Sequence, residues 1–567
     1  MWYEKRNFLR SIIPVALAIT ILLSLGLFVS TCNYQEKSKL RFLISFPETI
    51  RAEAVTGRVF IMITRDVERE PRLQAGSWMN SVPFFGVDVK NLKPGEAVVI
   101  DENVLGYPLK SLSDIPAEEY YVQGLLNIYT EFKRSDGHVI WLHMDQWEGQ
   151  QFNRSPGNLI SEVQKAHLDA ASGYTVEIKL SQVIPPVEVP PDTEWIKRIK
   201  IQSKLLTEFW GHPIYLGATI LLPKGYQSHL NVYYPVHYSQ GHFSLRAPYG
   251  FRTDDPGNKE PRGRMGYEFY RNWISDNFPR MICVTFQHPC PYFDDSYAVN
   301  SANVGPYGDA IITELIPYIE EHFRIIRKPY ARVLSGGSTG GWESLALQVF
   351  HPDFFGGAWV FYPDPIDFRR YILTNIYQDD NAFLPPDHQW LIPERPWMRD
   401  VHGQVEVTMR QISQLEAVLG SKGRSGQQLD IWQAAYGPVG DDGYPKPLWN
   451  KLTGEIDYEV SEYMKEHYDL RYYLENNWAT IGPKLVGKLH FYCGDMDNFY
   501  LNEAVYLMEE FLENTKNPYY AGSFEYGRPQ KPHGWTPLGR TGELEKFMAR
   551  HITKNAPKSE NTSSWKY

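Results

Sequence analysis

The hexapeptide Gly336-Gly337-Ser338-Thr339-Gly340-Gly341 carries the plainest chemical signal in the chain. It contains the pattern G-x-S-x-G. Before it stands a short run, Arg332–Ser335, that reads as a strand. After it stands Trp342–Phe350, which reads as a helix ending before Pro352. A serine held on a tight strand-to-helix turn needs small residues two before and two after it, because backbone passes close by on both sides. The turn also sets the serine at a helix N-terminus, where the helix dipole favours developing negative charge. The bland alternative is a glycine-rich turn with an incidental serine. The flanking strand and helix argue against it.

A serine nucleophile needs a base, and the base needs an orienting carboxylate. In folds with such an elbow the acid follows a late strand and the histidine follows the last one. The run Lys488–Cys493 reads as a late strand and leads into Gly494-Asp495-Met496-Asp497-Asn498. Asp497 is the first choice of acid and Asp495 the second. Asp364 and Asp367, just after the strand-like Gly357–Tyr362, form another alternative. His533 is the one histidine between the last expected strand, Ser523–Tyr526, and the closing helix Gly542–Ile552. The oxyanion needs two backbone N–H groups. One is expected from Thr339. The other is expected from Gly241 or His242, in the loop Ser239–Phe243 after an expected strand Asn231–Tyr238.

These segments resemble the esterase D-like, or "putative esterase", branch of the α/β-hydrolases. That branch includes enterochelin, feruloyl and acetyl-xylan esterases and the related mycolyltransferases. The resemblance rests on Tyr234–His242, on the Gly-Gly-Ser-Thr-Gly-Gly elbow, and on Gly494–Asp497 with Pro532-His533-Gly534-Trp535. It spans roughly three-fifths of the chain, from about Trp195 to Ile552. It implies Ser338 as nucleophile, Asp497 as acid and His533 as base. One departure stands out: relatives carry His-Gly where this chain has Gln240-Gly241.

Elements that could position these residues follow from pattern. Strand-like runs Ala218–Leu222 and Met281–Gln287 alternate with helical ones. One of these, Asp309–Phe323, places Ile312, Leu315, Ile316, Ile319 and Phe323 on one face, with Pro317 expected to kink it. The alternation implies an α/β-hydrolase fold with a mainly parallel sheet covered on both faces, spanning 195–555. About 160 residues separate Ser338 from Asp497, more than the core connections need. The excess, 364–484, is rich in Trp, including Trp390, Trp397 and Trp432, and is expected to cap the site. Upstream, 40–183 is β-rich: Arg58–Thr64, Ala97–Ile100, Tyr120–Phe132 and Tyr174–Leu180 read as strands of a sandwich-like accessory domain. The proline-rich stretch Ile184–Pro191 marks a linker over 184–194.

Of 567 residues, 43% are hydrophobic and 22% charged, as in globular chains, and the length calls for two or three domains. The net charge of −10 disfavours nucleic acid and acidic lipid as partners. Four cysteines are too few for a disulfide scaffold, although Cys283 and Cys290 could pair across their loop. No Cys/His set has metal spacing, and the triad chemistry needs no cofactor. Lys5, Arg6 and Arg10 precede an apolar run from about Ile12 to Val29, the layout of a signal sequence or membrane anchor over 1–32. Cys32 follows Val29-Ser30-Thr31, which resembles a lipobox with Thr31 in an unusual place. An uncleaved anchor competes with it. Either way the bulk of the protein is expected outside the cytoplasm, periplasmic or at the cell surface, touching membrane only through its N-terminus. The expected reaction is hydrolysis of a small-molecule or carbohydrate-linked carboxylic ester through an acyl-enzyme. Acyl transfer to a sugar acceptor, and a non-catalytic binding protein on the same scaffold, are the competing readings.

Overall fold

The structure is a computed structural model and describes residues 39–257, 260–385 and 394–565. The segment carrying Cys32, and Trp390, lie outside the described residues. No helix among the described residues is long and apolar enough to cross a membrane.

Nine strands between Arg41 and Val183 form one continuous hydrogen-bonded sheet. At its centre Val55–Thr64 and Glu118–Ile128 pair antiparallel. Residues Val59, Ile61 and Ile63 face one core, shared with Phe42, Ile44, Val122, Val176 and Ile178. Phe60 and Met62, alternating with them, face a second core. Period-two geometry with both faces covered explains why this strand is apolar without a break. The expected sandwich takes the form of a sheet whose ends share one core while its pairing path stays continuous. The expected strand Tyr120–Phe132 is two elements. Glu118–Ile128 belongs to the sheet, and Thr130–Lys133 forms a hairpin with Val139–Leu142 around Gly137, at φ +92°.

The second sheet has eight strands. From one edge they run Ile196–Ser203, Ile214–Leu221, Ile282–Gln287, Val236–Gln240, Arg332–Ser338, Gly357–Pro363, Leu489–Gly494 and Ser523–Gly527. The first two pair antiparallel, and the second also runs antiparallel to the third. From Ile282–Gln287 onward all are parallel. The sheet is therefore mixed, with its parallel part around the elbow.

Two local expectations need correction. The expected strand Asn231–Tyr238 runs Val236–Gln240 instead. Tyr234 pairs only through an isolated bridge to Ile325, and Pro235 has no N–H for a ladder. The expected kink at Pro317 is a π-helical stretch, Ile311–Leu315, between α-helical Tyr307–Ala310 and Ile316–His322. A wider turn there accommodates the missing proline N–H and its ring.

Between the strands Gly357–Pro363 and Leu489–Gly494 lie, among the described residues, four α-helices, Met409–Leu419, Gln428–Tyr436, Tyr458–Tyr468 and Leu470–Leu485. A hairpin of Pro396–Arg399 with Val405–Thr408 precedes them. This excursion touches the N-terminal sheet. Arg58 Nε donates to Val418 O at 3.0 Å, Trp141 N donates to Tyr444 OH at 2.9 Å, and Arg424 pairs with Asp88 at 2.6 Å. One hydrophobic core joins Phe60, Phe84 and Leu125 of the first sheet to Trp210, Leu334, Val418 and Trp432. The core thus crosses the proline-rich stretch, where Ile184 is itself buried and bonded through its N–H to Asn158 O at 2.9 Å.

Candidate active site

Ser338 ends its strand with φ 58° and ψ −123°, and a helix, Thr339–Phe350, begins at the next residue. That backbone is strained for a residue with a Cβ and sets the side chain at the apex of the turn. The glycines around it are required by space. A Cβ on Gly340 would stand 2.2 Å from Gln240 O, and one on Gly336 would stand 2.2 Å from Gly340 O. A Cβ on Gly337 would meet the Tyr362 ring at 2.5 Å. The elbow is therefore wedged between the Gln240–Gly241 peptide and Tyr362. Thr339, first in its helix, has no intrahelical acceptor for its N–H.

Asp497 and His533 come together. His533 Nδ1 and Asp497 Oδ2 are 2.8 Å apart, with the carboxylate wholly buried. The other carboxylate oxygen accepts from Phe499 N at 2.9 Å and Leu501 N at 3.3 Å, which fixes its orientation. With Nδ1 turned to Asp497, Nε2 is the ring nitrogen left for another partner. The His533 N–H donates to Asn498 Oδ1 at 3.0 Å, and Asn498 Nδ2 donates to Arg399 O at 2.7 Å. Arg399 returns a bond from Nε to Asp497 O at 3.0 Å. The hairpin 396–408 therefore grips the acid turn. The imidazole also sits between two rings, Tyr362 at 4.6 Å and Phe499 at 5.0 Å. Phe499 in turn meets Trp78 of the N-terminal sheet region at 5.7 Å, and Trp78 meets Trp397 at 5.8 Å.

The other carboxylates divide cleanly. Asp495 does not reach the imidazole. It accepts from Lys531 N at 2.8 Å and Gln530 N at 3.3 Å, shaping the loop that carries His533. Asp367 is buried, caps the turn at Arg369, and pairs with Arg369 and Arg471. Asp364 is different. Its Oδ1 accepts the Ser338 hydroxyl at 3.1 Å. Its Oδ2 accepts from Tyr297 OH at 2.6 Å, Thr339 Oγ1 at 3.1 Å, Gln428 Nε2 at 3.2 Å and Trp432 Nε1 at 3.3 Å. Burial raises its pKa, opposed by the hydrogen bond from Tyr297, by the nearby His242 and by the hydrogen bond from Thr339. The serine hydroxyl thus rests on Asp364, whereas the sequence pointed to His533 as its partner. Rotation about one side-chain bond changes the partner of a serine hydroxyl, and catalytic hydrogen bonds often close only around substrate.

Gly241 follows its strand directly at φ +155°, with its N in the space beside Gly340. The loop expected to supply the second oxyanion donor therefore starts at Gly241, since Ser239 and Gln240 still belong to the strand. The half-exposed His242 ring lies 3.0 Å from Asp294 and 3.2 Å from Asp295. Burial opposes its charge, but the two carboxylates outweigh that and hold its pKa well above the usual value. Cys283 and Cys290 are free and buried. Tyr297, Gln428, Phe499 and Trp78 were not found from sequence. Trp432 was singled out only as part of the expected aromatic cap, and Tyr362 and Asn498 only as members of a strand-like run and of the acid motif.

Residues 216–416 match the family described as "Putative esterase". No curated protein matches the chain. Among solved structures, a ferulic acid esterase is similar at 16% identity and TM-score 0.36, over 63% of this chain and 99% of that one. An S-formylglutathione hydrolase from Agrobacterium tumefaciens is similar at 12% identity and TM-score 0.33, over 64% and 98%. A ferulic acid esterase from Anaeromyces mucronatus, solved with ferulic acid, is similar at 14% and 0.28, over 63% and 92%. The family match agrees with the esterase resemblance of the sequence, with an α/β-hydrolase fold and with a carboxylic ester hydrolase.

Proposed function

We propose that this protein is a serine esterase working through Ser338, His533 and Asp497. The observation that carries the reading is the 2.8 Å pairing of His533 Nδ1 with a buried, doubly anchored Asp497, in loops that follow parallel strands of the sheet that ends in the Ser338 elbow. In this reading Ser338 Oγ leaves Asp364 and gives its proton to His533 Nε2 as it attacks the ester carbonyl. Asp497 stabilises the imidazolium so formed. The N–H groups of Thr339 and of Gly241 or His242 receive the oxyanion. His533 then protonates the leaving alcohol. A water, deprotonated by the same imidazole, releases the acid and restores the serine. Hydrolysis is preferred to acyl transfer because the family match is to esterases.

The test is labelling with a fluorophosphonate probe beside turnover of simple acyl esters. Wild type should label and turn over, while Ser338→Ala and His533→Ala should do neither yet remain folded. Undiminished turnover in Ser338→Ala defeats the reading. We also propose export, with attachment through the segment ending at Cys32. Mass analysis of the membrane-extracted N-terminus separates a lipidated Cys32 from an uncleaved anchor, and a cytoplasmic protein would refute both.

A further inference from the structure

A cavity of about 550 Å³ opens beside the elbow. Gly241, Gly337 and Tyr362 form its inner wall. It therefore begins one residue from Ser338 and one ring from His533. Its rim carries three arginines from three separate segments. Arg246 follows the oxyanion loop, Arg262 opens the helix Pro261–Trp273, and Arg540 lies between His533 and the last helix. All three are exposed, and among the described residues none forms an ion pair. The one side-chain hydrogen bond of Arg540 goes to a carbonyl, Gly534 O, at 2.9 Å.

Neighbouring arginines behave otherwise. Arg252 is neutralised by Asp254 and Glu260, and Arg264 by Glu268 at 3.1 Å. Pairing is therefore available locally, and the three cavity arginines do without it. Among the described residues, the one carboxylate lining the cavity is Glu545, which is buried. Burial raises its pKa to about 7, so much of its charge is absent near neutrality. Nearby Glu543 is engaged by Thr541. In a chain of net charge −10, a cationic recess at the nucleophile is a strong local departure.

We propose that this cavity binds an anionic group on the ester substrate, a carboxylate or phosphate carried on its acyl or alcohol part. The inference rests on the esterase reading above and names its substrate class. Guanidinium groups suit such oxyanions because they offer paired donors and full charge at any working pH. Their field would also draw an anionic ester toward the cleft, an effect that salt screens.

The test compares nitrophenyl esters of butyric acid with the singly charged nitrophenyl esters of succinic and glutaric acids. Competition by inorganic phosphate against sodium acetate separates phosphate from carboxylate recognition. Wild type should favour the charged esters by about 10-fold or more in kcat/KM at low salt. The double variant Arg246→Gln/Arg262→Gln should lose that preference while keeping butyrate turnover, and Arg540→Gln should lose part of it. Fluorophosphonate labelling is run on every variant. Labelling with no charge preference, or a preference that survives in the double variant, overturns this inference and leaves the esterase reading standing. Absence of labelling in wild type overturns both.

Discussion

The hydroxyl of Ser338 donates to Asp364 across 3.1 Å, toward a carboxylate that four further donors surround. On the reading proposed above, two acids serve Ser338 by different routes, Asp364 directly and Asp497 through His533. Their substitutions should separate. Asp497→Asn should cut kcat by about 10⁴-fold with the fold intact, because the imidazole loses its tautomer and its charge partner. Asp364→Asn should mainly lower thermal stability, since a neutral amide oxygen is a weaker acceptor than a carboxylate for Tyr297, Thr339, Gln428 and Trp432, and its NH2 cannot accept from Ser338. Measuring kcat and melting temperature for both decides. A larger kcat loss in Asp364→Asn at unchanged stability would make Asp364 the catalytic acid.

Gly340 gives a purely steric prediction. A methyl there would stand 2.2 Å from the backbone oxygen of Gln240, so Gly340→Ala should yield an unstable protein without esterase activity. Gly95→Ala, where nothing lies within 4 Å, should cost only the strain of a left-handed residue, about 1 kcal/mol. Equal melting temperatures for the two variants would refute the close approach seen at the elbow.

Glu545 gives a pH prediction. Burial lifts its pKa from 4.5 to about 7. The folded state therefore binds a proton that the unfolded state has released between those values. Its contribution to stability is fully present below pH 4.5 and is lost as pH rises through about 7. The largest effect for such a shift is about 3 kcal/mol. Glu545→Gln should accordingly raise stability at pH 8 relative to wild type and change little at pH 4. Denaturant titrations at the two pH values check this, and an equal change at both would contradict it.

Trp78 gives a prediction about substrate choice. Its ring stands 5.7 Å from Phe499, which itself packs against His533 at 5.0 Å, and its Nε1 donates to Gln427 at 3.2 Å. Trp78→Ala should lower kcat/KM for bulky aryl esters several-fold and leave small acetyl esters near wild type. A uniform change across both would show that the ring only supports the fold.

The parts of the site that were legible in sequence are those with short-range rules. A G-x-S-x-G turn demands glycine where backbone crowds, and the order serine, acid, histidine follows from the strand succession. Asp364 was only one of several candidate acids. Its role depends on Tyr297, Gln428 and Trp432, brought from three segments by tertiary packing that no local pattern records. The same holds for Trp78, whose partners lie far along the chain. The strand at Val236 began later than its apolar run, because Pro235 cannot join a ladder.

The proline-rich stretch looked like a seam, yet the hydrophobic core runs across it and Ile184 is sealed inside. The two sheets should therefore not be expressed separately: a fragment beginning at Trp195 would present the stripped faces of Val418 and Trp210 to water. Domain-swapping or trimming strategies that treat residues 40–183 as a removable attachment should give aggregates. The natural cut points for engineering this enzyme are its exposed loop tips, such as Gly137.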